Sequence, residues 1–348
     1  MSARAVAVPR LLRISHDATH DLADLLAEHF DVTEVVVACG QDRSRVLAQR
    51  LVDDLAARGS SVRVHHDLDG SLHCSAGLLE ALDDRPASLV VGFGGGRPID
   101  VAKLAATRSG TEFVAVPTVL SHDGMCSPVA SLRASDGRRR SVAASTPSGV
   151  VVDTAIVGRA PERFLRAGLG DLVSNISAVH DWQLAADAHG EVFDELAASM
   201  AAMSARSAFD IDWPPTEADV AVIARGLVMS GIAMEIAGSS RPCSGGEHLI
   251  SHALDTLLPD GTAMHGEQVA LGTVLTCHAL DVPERDLVQR LFDRVGFLFM
   301  GADGLVDRAT VVKAVEQAPA TRPDRRTVLD RVVADPDGAE QLVDQAFD

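Results

Sequence analysis

The stretch GFGGGRPIDVAK, from Gly92 to Lys103, decides the fold. It follows an apolar segment, Ser88 to Val91, that is typical of a buried parallel strand. Pro98 comes just after the glycines and suits the first position of a helix. A strand, a glycine turn and a helix present backbone N–H groups to a phosphate at the helix N-terminus. The stretch therefore predicts a bound nucleotide or another phosphorylated ligand.

Segments with strand and helix patterns alternate around this stretch. The strand-like segments are 35–39, 62–65, 88–91, 113–116 and 150–153, and the helical ones are 42–58, 78–82 and 98–107. This alternation predicts a parallel sheet covered on both faces. Later segments are helical: 161–167, 172–187, 192–209, 217–237, 247–257, 267–280, 283–295 and 309–317. We expect a Rossmann-like α/β domain over 1–160, an all-α domain over 161–348 and a ligand in the cleft between them.

Composition narrows the class of protein. The 348 residues carry a formal net charge of −18, which argues against nucleic acid or an anionic membrane as the main partner. The five cysteines include no CxxC pair, so neither a disulfide framework nor a zinc knuckle is expected. No signal peptide or membrane-spanning segment is expected either. These features predict a cytoplasmic protein.

Taken alone, the glycine run permits two interpretations. It departs from the GxGxxG fingerprint because Arg97 stands at the third glycine position, and no acidic residue follows where one would bind a ribose. The alternative to a phosphate site is a tight strand-to-helix turn without a ligand.

A second candidate segment is VPTVLSHDGMCSP, from Val116 to Pro128. It follows a strand, so we expect it at the carboxyl edge of the sheet, where ligands bind in open α/β folds. Its polar side chains include Thr118, Ser121, Asp123 and Ser127. The alternative is an ordinary polar loop.

A third group of residues has the chemistry of a metal site. His248 and His252 are four residues apart and share one helix face, and His265 begins the next helix after a turn over 259–261. Asp171 follows Gly170 and precedes a helical pattern, which suits a helix N-cap or a metal ligand. Imidazole and carboxylate groups together suit zinc, iron or nickel. The alternative for the histidines is burial with satisfied hydrogen bonds.

Five segments of the chain, taken in order, resemble the sn-glycerol-1-phosphate dehydrogenases. They are GGGRPIDVAK, PTVLSHDGMCSP, GLGD, SGGEHLISHALD and MHGEQ. These enzymes belong to the superfamily of iron-containing alcohol dehydrogenases, glycerol dehydrogenase and dehydroquinate synthase. The resemblance extends to the C-terminal AVEQAPATRPDRRTVLDRV and so covers nearly the whole chain. It implies a dehydroquinate synthase-like fold and the reduction of dihydroxyacetone phosphate by NADH or NADPH.

The resemblance also implies a role for each matching position. Positions implied in NAD or NADP binding are Gly94, Gly95, Gly96, Arg97, Asp100, Thr118, Ser121 and Ser127. Asp171, His248 and His265 would hold one divalent metal, with zinc expected and nickel or iron as alternatives. Asp123 and His252 would meet the substrate as catalytic residues. A homodimer or larger homo-oligomer is expected as well.

Other activities remain open on the sequence alone. The same scaffold could act on another small polyol or ketone, serve as a lyase or cyclase that uses NAD transiently, or bind a nucleotide without catalysis. Five arginines are candidates for a substrate phosphate: Arg133, Arg138, Arg139, Arg140 and Arg241. The family more often has serine where this chain has Gly246, a difference that could widen the substrate side.

Overall fold

The structure, a computed structural model, describes residues 5–41, 43–259, 262–301 and 304–347. The chain divides into two compact units, Met1–Leu165 and Arg166–Asp348, here called the N-terminal and C-terminal units. Asp42, the first residue of the helix predicted over 42–58, lies outside the described residues, as do Asp260 and Gly261 of the predicted turn.

The N-terminal unit is built around a parallel sheet. Its described strands are β1 (Leu11–Ser15), β2 (Glu34–Cys39), β3 (Ser61–His65), β4 (Leu89–Gly94), β5 (Glu112–Pro117), β6 (Val129–Arg133), β7 (Arg139–Ala143) and β8 (Gly149–Asp153). Its helices are α1 (Leu22–His29), α2 (Arg43–Ala57), α3 (Leu72–Asp84), α4 (Gly96–Ser109) and α5 (Thr154–Gly158). Six strands pair in parallel in the order β1-β8-β5-β4-β2-β3, and β6 and β7 form a separate antiparallel pair.

The central strands explain why the sheet was predictable. Every residue of β4 and β8 is buried, and in β2 and β5 only the first residue is partly accessible. Strands buried on both faces carry continuous apolar runs rather than an alternating pattern. The predicted strands and the fold class are confirmed, whereas β1, β6 and β7 were not predicted.

The C-terminal unit is helical throughout its described residues. Its helices are α6 (Glu162–Val173), which spans the unit boundary, α7 (Asn175–His189), α8 (Glu195–Arg206), α9 (Glu217–Ala237), α10 (Gly246–Leu257), α11 (His265–Leu280), α12 (Arg285–Val295), α13 (Arg308–Thr321), α14 (Leu329–Val332) and α15 (Gly338–Phe347). Among the described residues, only α9 is long and apolar enough to cross a membrane, and 61% of its apolar window is buried inside the fold. We therefore interpret α9 as a core helix.

Candidate metal and dinucleotide sites

The structure places Asp171 in the last turn of α6, so the N-cap interpretation of this residue is wrong. Helix α6 continues through Gly170 to Val173, and α7 begins at Asn175. The side chain of Asp171 is only 3% exposed. A charged carboxylate is costly to bury without a partner, and a cation shared with the two histidines described below would supply one.

Three glycines allow the helices around Asp171 to approach one another closely. A Cβ at Gly170 of α6 would lie 2.4 Å from the carbonyl oxygen of Gly266 in α11. One at Gly266 would lie 1.9 Å from the carbonyl oxygen of Ala167, and one at Gly272 would lie 2.5 Å from that of Glu247 in α10. Because these neighbours are backbone atoms, only glycine fits, and α6 and α10 each come into backbone contact with α11.

The side chains of Asp171, His248 and His265 converge where α6, α10 and α11 pack together. Their ligand atoms all lie within 4.8 Å of one another. Asp171 Oδ1 is 3.8 Å from Nε2 of His248 and 3.6 Å from Nε2 of His265. Ligands at metal–donor distances of about 2.1 Å in a tetrahedral site lie about 3.4 Å apart. The three predicted ligands therefore fit one small divalent ion.

The ring of His248 is held in the orientation that a metal ligand needs. Its Nδ1 lies 3.0 Å from Oε1 of Glu247, and because a carboxylate only accepts, Nδ1 carries the proton. Glu247 is fully buried and also accepts from Gly245 N at 2.5 Å and Ser177 Oγ at 2.9 Å. Nε2 of His248 thereby keeps its lone pair toward Asp171, as in carboxylate–histidine–metal arrangements.

His265 is oriented by a second, neutral network. The Ser251 hydroxyl donates to Oε1 of Gln268 at 2.8 Å, so it accepts from Nδ1 of His265 at 3.1 Å. The proton is again on Nδ1 and the lone pair on Nε2. The ring of His265 is 36% exposed against 13% for His248, so the accessible side of the cluster lies at His265.

A buried carboxyl group, Asp181, fixes the start of α10. Its Oδ2 accepts from Gly246 N at 2.8 Å and its Oδ1 from Val328 N at 2.6 Å. Burial and the nearby charge of Glu247 raise the pKa of Asp181 to about 7, even though both backbone hydrogen bonds lower it. Asp181 thus joins α7, α10 and the segment before α14, and it holds the turn that carries His248.

His252 lies one helical turn beyond His248, on the same face of α10. Burial is the largest of the effects that lower the pKa of His252 to about 3, and the positive charges of Arg322 and Arg325 contribute in the same direction. The ring is therefore neutral near pH 7.

This buried neutral ring predicts a pH dependence of stability. An unfolded chain protonates His252 near pH 6.5, but the folded chain does so only near pH 3. The free energy of unfolding should therefore fall below pH 6.5, with His252 contributing up to about 1.4 kcal/mol per pH unit. Urea titrations of chelator-treated protein between pH 6 and 4.5 should show a shallower decline for His252→Gln.

The exposed His189 provides the control for this experiment. A His189→Gln variant should follow the wild-type pH profile. A His252→Gln profile with the wild-type slope would contradict the assignment of a neutral, desolvated ring.

In the N-terminal unit, the glycine run forms the predicted turn between β4 and α4. Gly94 has φ 151°, which is strained for other residues, and a Cβ there would lie 2.6 Å from Cγ of Pro98. Gly95 is the N-cap of α4 and makes no side-chain cap hydrogen bond. The turn thus leads directly into the N-terminus of α4, and the first backbone N–H groups of a helix are the donors of an anion site.

The predicted loop after β5 lies beside this turn. Gly94 pairs with Pro117 in the sheet register, and Thr118 N donates to Gly94 O at 2.9 Å. A Cβ at Gly96 would lie 2.3 Å from Nε2 of His122, so the imidazole of His122 lies directly on the start of α4. The structure therefore brings the two predicted dinucleotide segments together at the carboxyl edge of the sheet.

The buried side chains of Asp100 and Lys103 hold the segments at the carboxyl edge of the sheet in place. Lys103 is fully buried, and its Nζ donates to the carbonyl oxygens of Gly124 at 2.7 Å, Ser127 at 3.1 Å and Val129. It also lies 3.3 Å from Oδ1 of Asp100. Oδ2 of Asp100 accepts from the backbone N–H of Ser131 at 3.1 Å. Asp100 thus connects α4 to β6.

The remaining predicted residues of this unit differ in exposure. Ser121 and Asp123 are half-buried, and Asp123 begins a short 3-10 helix that ends at Met125. Ser127 is buried, and its hydroxyl donates to Val129 O at 3.3 Å. Arg97 is exposed, with its aliphatic stem against Gly70.

Comparison with known proteins decides the family. A model of the iron-containing alcohol dehydrogenase family matches residues 13–161. A glycerol-1-phosphate dehydrogenase (NAD(P)+) of Methanosarcina acetivorans is 34% identical over 344 residues, covering 98% of this chain and 96% of that protein. The chain belongs to the glycerol-1-phosphate dehydrogenase family. The corresponding protein of Hyperthermus butylicus is 42% identical over 279 residues, covering 79% of this chain and 78% of its own.

A solved structure supports the fold of this member of the glycerol-1-phosphate dehydrogenase family. A probable glycerol dehydrogenase from Sinorhizobium meliloti 1021 superposes with a TM-score of 0.77 at 22% identity. The superposition covers 99% of this chain and 98% of that one. The two chains therefore share the same fold.

Several residues that shape the sites of this glycerol-1-phosphate dehydrogenase family member were missed by sequence reasoning. They are Lys103, Asp181, Glu247, Ser251 and Gln268. Only Lys103 carried a signal, because the chain has just two lysines and this one lies three residues after Asp100. Gly246 was misinterpreted: a Cβ there would press on Leu329 and Thr276 at 3.2 and 3.3 Å, and both residues are buried.

Proposed function

We propose that the protein is a metal-dependent, NAD(P)-linked dehydrogenase that interconverts dihydroxyacetone phosphate and sn-glycerol 1-phosphate. The observation that carries the proposal is the convergence of Asp171, His248 and His265 in a chain 34% identical to a glycerol-1-phosphate dehydrogenase over nearly its full length. In this proposal the C-terminal unit holds metal and substrate, and the N-terminal unit binds the dinucleotide.

In this proposal the residues of the chain hold the metal and orient its ligands. Asp171, His248 and His265 would hold the ion, with Glu247 and Ser251 keeping both imidazole lone pairs aimed at it. When bound, the ion supplies Lewis acidity toward a carbonyl oxygen and the nicotinamide supplies the hydride. Three protein ligands leave room for a substrate oxygen, as expected of a catalytic site.

His252 and Asp123 are proposed to meet the substrate. Because the ring of His252 is neutral, it can donate to or accept from a substrate hydroxyl, and a water molecule can pass on the proton that the alkoxide needs. Asp123 is half-buried at the start of its 3-10 helix, in the loop that Lys103 anchors through Gly124.

The proposed dinucleotide site is the turn before α4. The backbone N–H groups of Gly95 and Gly96 would bind the pyrophosphate, and Arg97 lies at the same helix end. Thr118, Ser121 and Ser127 would line the neighbouring loop, and Asp100 would brace the turn. Either NAD or NADP is compatible with this site. Zinc is the proposed metal, and the protein is proposed to be a cytoplasmic homo-oligomer.

The test is an assay with defined metals and substrates. Chelator-treated protein is reloaded separately with zinc, nickel or Fe(II) and mixed with NADH or NADPH. We expect net oxidation of the cofactor with dihydroxyacetone phosphate, and much slower oxidation with non-phosphorylated ketones. Absence of oxidation with all three metals in folded protein would exclude the proposed substrate, and a preference for non-phosphorylated ketones would favour a polyol dehydrogenase.

A further inference from the structure

The end of helix α13 brings an arginine to the helix that carries His248 and His252. Helix α13 packs against α10 and ends at Arg322, which has φ −142° and ψ 82°. The next residue, Pro323, disfavours helical geometry at Arg322, so the chain leaves the helix there. Arg322 therefore lies at the C-terminal end of a helix that packs against α10.

The guanidinium of Arg322 is partly desolvated and has no hydrogen-bond partner among the described residues. Burial alone lowers the pKa of Arg322. Within the described part of the chain, no carboxylate, carbonyl or hydroxyl oxygen accepts a hydrogen bond from its side chain. Withdrawing a charged group from water without supplying acceptors is unfavourable. An anion with several acceptor oxygens would satisfy this group.

The neighbouring Arg325 is occupied by the protein itself. Its Nη1 donates to Ser244 O at 2.5 Å and to Ser244 Oγ at 3.0 Å, and its Nη2 donates to Ser240 Oγ at 2.9 Å. These bonds hold the loop that precedes α10. Arg325 thus contributes positive charge beside Arg322, but both of its terminal nitrogens already donate within the protein.

Arg322 and Arg325 both affect the pKa of His252. Their positive charges lower the pKa of His252 in addition to the larger effect of burial. The guanidinium of Arg322 therefore lies within electrostatic reach of the ring that is proposed to meet the substrate. A partly desolvated cation beside a neutral imidazole is suited to a phosphate group, because a guanidinium can bind two phosphate oxygens at once.

The five arginines suggested by the sequence are exposed or already paired. The paired ones are Arg133 with Asp69, Arg140 with Asp136, and Arg241 with Glu191. Arg138 and Arg139 are exposed at the start of β7. Arg241 also donates to Arg326 O at 2.9 Å, so it is part of the framework.

We propose that Arg322 binds the phosphate group of the substrate beside His252. This inference rests on the proposed function and names the residue that distinguishes a phosphorylated ketone from an unphosphorylated one. Arg322 is thus assigned as a specificity-determining residue, and Arg325 as the residue that holds the adjoining loop.

The test compares two substrates in zinc-loaded holoenzyme. For Arg322→Gln, kcat/KM with dihydroxyacetone phosphate should fall about 100-fold, the loss expected for a charge-assisted hydrogen-bonding pair. The loss with unphosphorylated dihydroxyacetone should be at least tenfold smaller, and the KM for NADH or NADPH should not rise. Arg322→Lys should recover part of the loss. Arg326→Gln, which changes an exposed arginine paired with Asp330, is the matched control and should behave as wild type.

Inorganic phosphate separates this inference from the proposed function. Phosphate should raise the thermal midpoint of the wild type and of Arg326→Gln but not of Arg322→Gln. If the wild type fails to reduce dihydroxyacetone phosphate, the proposed function fails, and the phosphate-induced shift still decides the role of Arg322. Equal losses with both ketones in Arg322→Gln, or an undiminished phosphate shift, would overturn the inference. If Arg322→Gln does not fold, the same comparison is made with Arg322→Lys, whose phosphate affinity should fall.

Discussion

His265→Ala should lose the metal and nearly all dehydrogenase activity. The substitution removes one of three ligands and the more exposed side of the cluster, leaving Asp171 and His248. Changing only the groups that orient metal ligands already lowers metal affinity 10- to 100-fold. Removing a ligand itself should therefore lower metal affinity by more than about 100-fold. Lewis-acid stabilisation of several kcal/mol corresponds to a fall in kcat of about 1,000-fold or more. Elemental analysis after gel filtration and steady-state kinetics measure both effects.

Dinucleotide binding should survive this substitution. The glycine turn belongs to the N-terminal unit, whereas His265 belongs to the C-terminal unit. Fluorescence titration with NADH should therefore give the wild-type affinity in His265→Ala. His189→Ala, which changes an exposed histidine at the end of α7, controls for the loss of an imidazole. A His265→Ala protein that retained both metal and activity would show that the ligand set is wrong.

Gly266→Ala should cause the largest loss of stability among single-methyl substitutions at the glycines of the metal site. The added Cβ would lie 1.9 Å from Ala167 O and 2.5 Å from Ala167 C, and both are backbone atoms of α6. Helices α6 and α11 would have to separate, and overpacking of this kind costs about 3 kcal/mol. Because Asp171 and His265 lie on these two helices, metal affinity should fall together with the free energy of unfolding.

Gly77→Ala is the matched control for this prediction. Gly77 lies within α3, and a Cβ there would meet nothing within 4 Å. Greater helix propensity should stabilise that variant by about 0.5–1 kcal/mol. Denaturant unfolding and zinc titration of both variants make the comparison. A Gly266→Ala protein with wild-type stability and zinc affinity would show that α6 and α11 are not in backbone contact.

The metal ligands could be predicted because the sequence pattern retains their local spacing. His248 and His252 occupy adjacent turns of one helix, and His265 begins the next. Asp171 was more difficult to interpret, because Gly170 before it resembles a helix break. In the structure Gly170 allows close approach to Gly266, and the helix continues through it. Whether a glycine breaks a helix or permits a helix contact depends on its tertiary neighbours.

The groups that orient the ligands could not be predicted from the sequence. The role of Ser251 depends on Gln268 and His265, which reach it only because α10 and α11 pack together at Gly272. Asp181 likewise bonds to Val328, which is 147 residues later in the chain. Such contacts follow from helix packing and leave no local periodicity.

In the N-terminal sheet, too, some elements could be predicted from the sequence and others could not. The central strands were evident from their unbroken apolar runs, whereas β7 has four exposed residues of five and no buried face to produce a pattern. The glycine turn before α4 was predicted from local chemistry alone. The contact of His122 with Gly96 depends on the sheet register that places β4 beside β5.

The most direct test of the account is the identity and metal dependence of the reaction product. Metal-stripped protein and zinc-reloaded protein are each incubated with dihydroxyacetone phosphate and NADPH or NADH, and the glycerol phosphate formed is then offered to an enzyme that oxidises only the sn-3 enantiomer. The account predicts that only the reloaded protein forms product and that the sn-3-specific enzyme does not consume it. Product formation without metal, or formation of the sn-3 enantiomer, would contradict the account.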